Sequence, residues 1–121
     1  MLISSCEVIV VEPAYDERDL ITGSWEMEEF SETYNYSLVY DIYISKSNST
    51  YDGIRINNLY DVDVTVRAYV QGDRIIIPQQ VVNSYEISGV GTIHSDRITF
   101  KYTVYDMYYG GLTDYLDAIA W

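Results

Sequence analysis

The sequence predicts an all-β domain, an antiparallel meander of about eight short strands that closes as a small up-and-down barrel in preference to a sandwich. Three observations predict it. Apolar residues recur at every second position along most of the chain, the period of a strand with one buried face. Short polar turns join the alternating stretches, so neighbouring strands run antiparallel. No strand–helix–strand alternation is present, which argues against a parallel sheet.

Bulk properties narrow the function. A chain of 121 residues suits one domain with one core, and 48% hydrophobic residues are enough to build it. The formal net charge is −12, from 19 acidic and 7 basic residues. Binding a phosphate backbone needs clustered Lys and Arg, so nucleic acid is not an expected partner. Cys6 is the only cysteine and His94 the only histidine, so neither a disulfide within the chain nor a Cys/His metal cluster is expected. No apolar run approaches the roughly 20 residues of a membrane-spanning helix. The chain has 14 tyrosines, a residue that favours strands and needs a partner for its hydroxyl when buried.

Taken in order, residues 1–6 end in Ile3-Ser4-Ser5-Cys6, which fits the last four positions of a bacterial lipobox. Small side chains fit the signal peptidase, and the thiol accepts a diacylglycerol. A full signal needs a basic start and about 7–15 apolar residues upstream. Either that signal lies outside this sequence or the match is chance, Cys6 then being a thiol that begins the strand-like run Glu7–Val11. Residues 7–19 read as a linker, with Pro13 and the charged cluster Asp16-Glu17-Arg18-Asp19 marking an exposed segment that enters a short helical turn. Leu20 and Ile21 are expected to plug one end of a barrel domain spanning 20–121.

Residues 23–30 form the first core strand, with Trp25 and Met27 on one face. Residues 33–45 are the longest alternating run, with Tyr34, Tyr36, Leu38, Tyr40, Ile42 and Ile44 sharing one parity. Lys46–Thr50 is a turn, and Ile54 and Ile56 mark a third strand. Residues 62–80 form a hairpin around Gly72-Asp73, pairing Val70 with Ile75, Ala68 with Ile77 and Gln71 with Arg74. Pro78 lacks a donor and is expected at a strand end or edge, with Gln79-Gln80 leading into a strand over 81–88. The hairpin 89–105 turns at Ser95-Asp96, which pairs Ile93 with Ile98, Gly91 with Phe100 and Gly89 with Tyr102. Two glycines under two aromatic rings let a sheet bend sharply. Gly110-Gly111 breaks the chain, and Leu112–Trp121 returns as a last strand or a short helix.

Little chemistry follows from these residues. His94 faces outward in its hairpin, with no nucleophile or orienting carboxylate placed beside it. Gly89-Val90-Gly91 is not a phosphate loop, because no helix follows it. Asp61 and Asp63 lie on one face about 7 Å apart. With Asp114 and Asp117 they suggest calcium only weakly, since no twelve-residue calcium loop is present. No cofactor, metal or catalytic set is expected. The tyrosines are the candidate binding residues. Trp25, Tyr34, Tyr36, Tyr40 and Tyr102 line a small-molecule pocket if they point into a barrel. Otherwise the rings fill the barrel, or facing outward they offer an aromatic surface for sugar or protein contact.

An ordered set of strings resembles small Bacteroidetes lipoproteins of unassigned function. They are Ser5-Cys6, Glu12-Pro13, Tyr15–Asp19, Gly23-Ser24-Trp25, Glu29–Asn35, Ile54–Asn58, Ile75–Gln80, Ile87–Thr92 and Ile98–Val104, with a poor match from 107 onward. The resemblance implies an exported all-β domain anchored to the membrane through lipid on Cys6, in the cell envelope and on an outer membrane. It implies no enzymatic activity, and is consistent with a binding or assembly role at the envelope with an envelope protein as partner. A looser likeness joins Gly23-Ser24-Trp25, after a short helical turn, to the first strand of lipocalin and avidin-type barrels. It favours a barrel and implies, as the alternative function, a carrier of a small hydrophobic ligand.

Overall fold

The structure is a computed structural model that describes residues 16–121. The expected lipidation site, Cys6, and residues 7–15 of the expected linker lie outside the described residues. The chain forms β1 (Gly23–Ser31), β2 (Tyr36–Lys46), β3 (Gly53–Asn57) and β4 (Thr65–Gln71). It continues through β5 (Arg74–Val82), β6 (Tyr85–Ile93), β7 (Ile98–Asp106) and β8 (Asp114–Ala120). These eight strands form a closed barrel in sequence order, every neighbour antiparallel, with β1 pairing β8 at the seam. The expected meander barrel is the observed fold, and the last segment is a strand.

Alternation sets the inside. Met27, Ile42, Ile44, Ile54, Ile56 and Val66 are buried from β1 to β4, and the second half adds Ile75, Ile77, Ile87, Ile98, Phe100 and Leu116. The β6–β7 register is the predicted one, with Gly91 facing Phe100 and Gly89 facing Tyr102. A Cβ on Gly89 would lie 2.5 Å from the Lys101 carbonyl oxygen and 2.6 Å from Tyr102 Cα. The Tyr102 backbone therefore sits where a side chain would stand, which only glycine permits.

Several boundaries differ from expectation, each for a local reason. Strand β2 begins at Tyr36, because residues 32–35 are a turn with Asn35 at a positive φ of 56°. Tyr34 is therefore outside the strand. Residues 62–64 are not strand. They follow a 3-10 turn at Leu59–Asp61, and Leu59 is buried in the core. Strand β5 runs straight through Pro78 to Val82, and the chain turns at Asn83-Ser84 into β6, so 81–88 is not one strand. Proline is accommodated by a bulge. Ile77 pairs with Gly89 and Gln80 with Ile87, which leaves one extra residue on β5.

The β4–β5 ladder holds Val70–Ile75 and Gln71–Arg74 as expected, but it ends at Tyr69–Ile76, short of Ala68–Ile77. The side chain of Gln80 bridges the gap. It accepts from the Arg67 N–H at 3.0 Å and donates to the Arg67 carbonyl at 2.8 Å, as a strand backbone would.

The segment 16–19 is not an exposed linker. It enters a 3-10 turn over Glu17–Leu20, capped by Asp16, whose carboxylate accepts from the Arg18 N–H at 3.0 Å. Arg18 is buried and donates to the carbonyls of Ser47, Thr50 and Gly53 at 3.2, 3.1 and 2.9 Å. It also pairs with Asp16 at 2.9 Å, which holds that carboxyl well below the usual carboxylate range. Ile21 is buried beside this turn, while Leu20 points outward. This lower end of the barrel also carries the two tight turns at Gly72-Asp73 and Ser95-Asp96.

Candidate functional site

The inward face of β1 reads Trp25, Met27, Glu29, Ser31, and that of β8 reads Asp114, Leu116, Ala118, Ala120. The strands thus carry two carboxylates and a hydroxyl into the upper barrel. Glu29 is 4% exposed and Asp114 1%. Glu29 Oε1 accepts from the hydroxyls of Tyr40 (2.6 Å) and Tyr102. The Tyr40 hydroxyl also accepts from the Tyr60 N–H at 2.9 Å. Asp114 accepts from Ser31 Oγ at 2.5 Å and from the Tyr60 hydroxyl at 2.6 Å. Ser31 Oγ in turn accepts from the Tyr34 N–H at 3.0 Å.

No Lys, Arg or His forms an ion pair with either carboxylate among the described residues. Burial raises the Glu29 carboxyl above its ordinary range; the two tyrosine bonds oppose the shift, and the charges of Asp114 and Asp61 add to it. Burial, with the Glu29 charge next, pushes the Tyr40 hydroxyl up, and burial pushes Tyr102 up as well. Tyr60 is raised by burial and then by its bond to Asp114. The network keeps these phenols protonated and donating. It resembles a polar core cluster whose members satisfy one another.

The candidate binding residues separate. Tyr40 and Tyr102 meet at Glu29, their hydroxyls 3.3 Å apart. Tyr36 has the inward parity but sits at the upper mouth and is 47% exposed; burial and then the Asp114 charge raise its hydroxyl. Tyr34 is 51% exposed on the β1–β2 turn, so it does not line the interior. Trp25 is half-buried toward the lower end, where its Nε1 donates to the Ile21 carbonyl at 2.8 Å.

Glu29, Ser31 and Tyr60 were not singled out from sequence. The signal for Glu29 and Ser31 was their shared parity with Trp25 and Met27. Asp114 was considered only as a weak calcium ligand with Asp61, Asp63 and Asp117, although its parity with Leu116, Ala118 and Ala120 turns it inward. His94 is exposed, with Nε2 3.2 Å from Thr99 Oγ1. Among the described residues, no group of three or more His, Cys, Asp or Glu is placed to hold a metal ion.

Surface concavities among the described residues include ones of about 620, 570 and 500 Å³, and Trp25 lines none of these. The 620 Å³ concavity lies on the outer wall across β2, β1, β8, β7 and β6. The 570 Å³ concavity lies beside Arg18 at the lower end, and the 500 Å³ one runs along the β2–β3 loop and β4.

No family model and no curated protein matches the chain. Among solved structures it is similar to a redesigned β barrel, with a TM-score of 0.61 and 12% identity, over 90% of this chain and 96% of that one. At that identity the likeness shows the fold alone.

Proposed function

We propose that this chain is a non-enzymatic, lipid-anchored protein of the cell envelope, on an outer membrane, whose barrel acts by binding through its outer surface. The observation that carries the reading is the filled lumen. Aliphatic side chains occupy the inner face, and its two carboxyls are taken up by Ser31 and tyrosine hydroxyls. Chemistry on a substrate requires an accessible group beside bound substrate, and the buried groups here are engaged with one another. The anchor is supported by Ser5-Cys6 and by the ordered strings that resemble those of small Bacteroidetes lipoproteins. Metabolic labelling of the native, full-length gene product with a palmitate analogue tests it. Label lost on Cys6→Ser is the expected outcome, and an unlabelled, cytosolic protein overturns the anchor.

The second reading, a lipocalin-like carrier, is favoured by Trp25 and the tyrosines on inward positions. It requires the barrel to admit a small hydrophobic ligand beside Trp25. Emission of Trp25 in a Trp121→Phe background, with lipids, haem, bilins and oligosaccharides, decides it. A saturable quench or blue shift with one class promotes the carrier, and an unresponsive blue-shifted spectrum removes it.

A further inference from the structure

Outward positions on a barrel wall that faces water are expected to be polar. One stretch breaks that rule. Strand pairing lines up Val39, Glu28, Ile119 and Thr99 as neighbours in one outward row. The next row runs Phe30, Asp117, Lys101 and Val90. Val39 is 60% exposed and Phe30 38%. These apolar side chains come from four different strands, and with Glu28 and the Asp117–Lys101 pair they line the concavity of about 620 Å³.

The rim is acidic. Glu26 and Asp41, which face each other across β1 and β2, lie on one side, and Glu32 lies on the other, next to Asp117. Glu32 holds its proton more tightly than an ordinary glutamate because it hydrogen-bonds with Asp117 and feels its charge. The one base lining the groove, Lys101, is already paired with Asp117. Apolar contact surface enclosed by uncompensated negative charge is complementary to apolar side chains bracketed by positive charge.

We infer that this wall is a docking groove for a basic amphipathic segment of another protein. The inference rests on the reading that the barrel acts through its outer surface, and it names the partner's chemistry. At the groove β1, β8 and β7 are each paired on both sides, so a partner is recognised there through side chains and not by strand addition. Fatty acids and anionic lipid surfaces would bring negative charge against Glu26, Glu28 and Asp41, and a chain of net charge −12 repels both.

The test is titration of the full-length protein with three synthetic peptides while following its amide resonances. One carries Leu and Lys at amphipathic helical spacing, one has Glu in place of Lys, and one has Gly in place of Leu. The Leu/Lys peptide is expected to bind saturably, shifting resonances of residues 28, 30, 39, 90 and 119. Phe30→Ser, Ile119→Ser and Glu28→Lys should each weaken binding by about tenfold, and Val81→Ser, on the exposed face of β5, should leave it unchanged. No binding, equal binding of the Gly/Lys peptide, shifts that map elsewhere or indifference to Phe30→Ser and Ile119→Ser would each overturn the groove. The wild-type shift map stands even if a variant fails to fold. Palmitate labelling and Trp25 emission report anchoring and carriage separately, so either can fail without deciding the groove.

Discussion

Replacing Gly89 by alanine should be the most damaging single-methyl change in the barrel, and Gly91→Ala a mild one. Both glycines face aromatic residues across the β6–β7 ladder. At Gly89 the added Cβ meets Tyr102 Cβ first, then backbone: the Lys101 carbonyl oxygen at 2.5 Å and Tyr102 Cα at 2.6 Å. Reaching ordinary contact requires about 1 Å of separation between two strands that are also bonded to β5 and β8. Overpacking of this kind costs about 1–3 kcal/mol or more. Alanine's better fit to a strand returns about 0.5–1 kcal/mol. Because the clash involves backbone that cannot rotate away, the cost lies at the upper end, about 3 kcal/mol, and the net loss is about 2 kcal/mol. At Gly91 the nearest atoms are Phe100 ring carbons at 3.0 Å, which a small rotation clears, and the Thr99 carbonyl at 3.2 Å. That cost and the strand gain nearly cancel, leaving a net of about 0–1 kcal/mol. Urea unfolding followed by circular dichroism measures both variants on one scale. The reasoning is refuted if Gly89→Ala lies within about 0.5 kcal/mol of the parent, or if Gly91→Ala is the costlier change.

Glu29 gives a pH signature. Its folded carboxyl is raised, so the protonated form favours the fold, and this contribution is present below about 4.5 and lost as pH rises through the folded value. The stability of Glu29→Gln relative to the parent should therefore improve from pH 4 to pH 8, and a flat difference would contradict the assignment. Arg18→Met removes the Nη1 group that bonds the carbonyls of Ser47, Thr50 and Gly53 and leaves those carbonyls orphaned. A loss of about 2–3 kcal/mol is expected, with faster hydrogen exchange in the β2–β3 loop. Gln80→Leu keeps the volume but unpairs the Arg67 N–H and carbonyl, for a loss of about 1–3 kcal/mol, whereas Gln79→Leu on the exposed face should be neutral.

The meander and much of its register were legible because period-two alternation and turn residues are local signals. Ile93–Ile98 through Gly89–Tyr102 follow once Ser95-Asp96 is taken as the turn. Pro78 misled because its usual exclusion from strand interiors is relaxed at a bulge, and the compensating group, Gln80, acts through its side chain. Arg18 looked solvated because its acceptors are carbonyls more than 25 residues away, and nothing local announces them. The carboxylate pair was half-legible. Glu29 shares the parity of Trp25 and Met27, and Asp114 that of Leu116, but charge argued for the surface, and only the third dimension supplies the hydroxyls that make burial tolerable. The wall groove was not legible, because Phe30 and Val90 become near neighbours only through β8 and β7.

The β1–β8 seam has a consequence for how the chain reaches this state. Seven of the eight pairings join consecutive strands, so each can zip as a neighbour of the last. The eighth brings Met27 to Ala120 and Ser31 to Leu116, and closing so long a loop is entropically unfavourable before any contact forms. A curved, open ribbon with two bare edges should thus precede the cylinder, and the rate of closure should depend on the seam. Ser31→Ala, which removes the hydroxyl bound to Asp114, is expected to speed unfolding far more than it slows folding. The ribbon, rather than the finished barrel, would then be the species through which two copies could exchange strands.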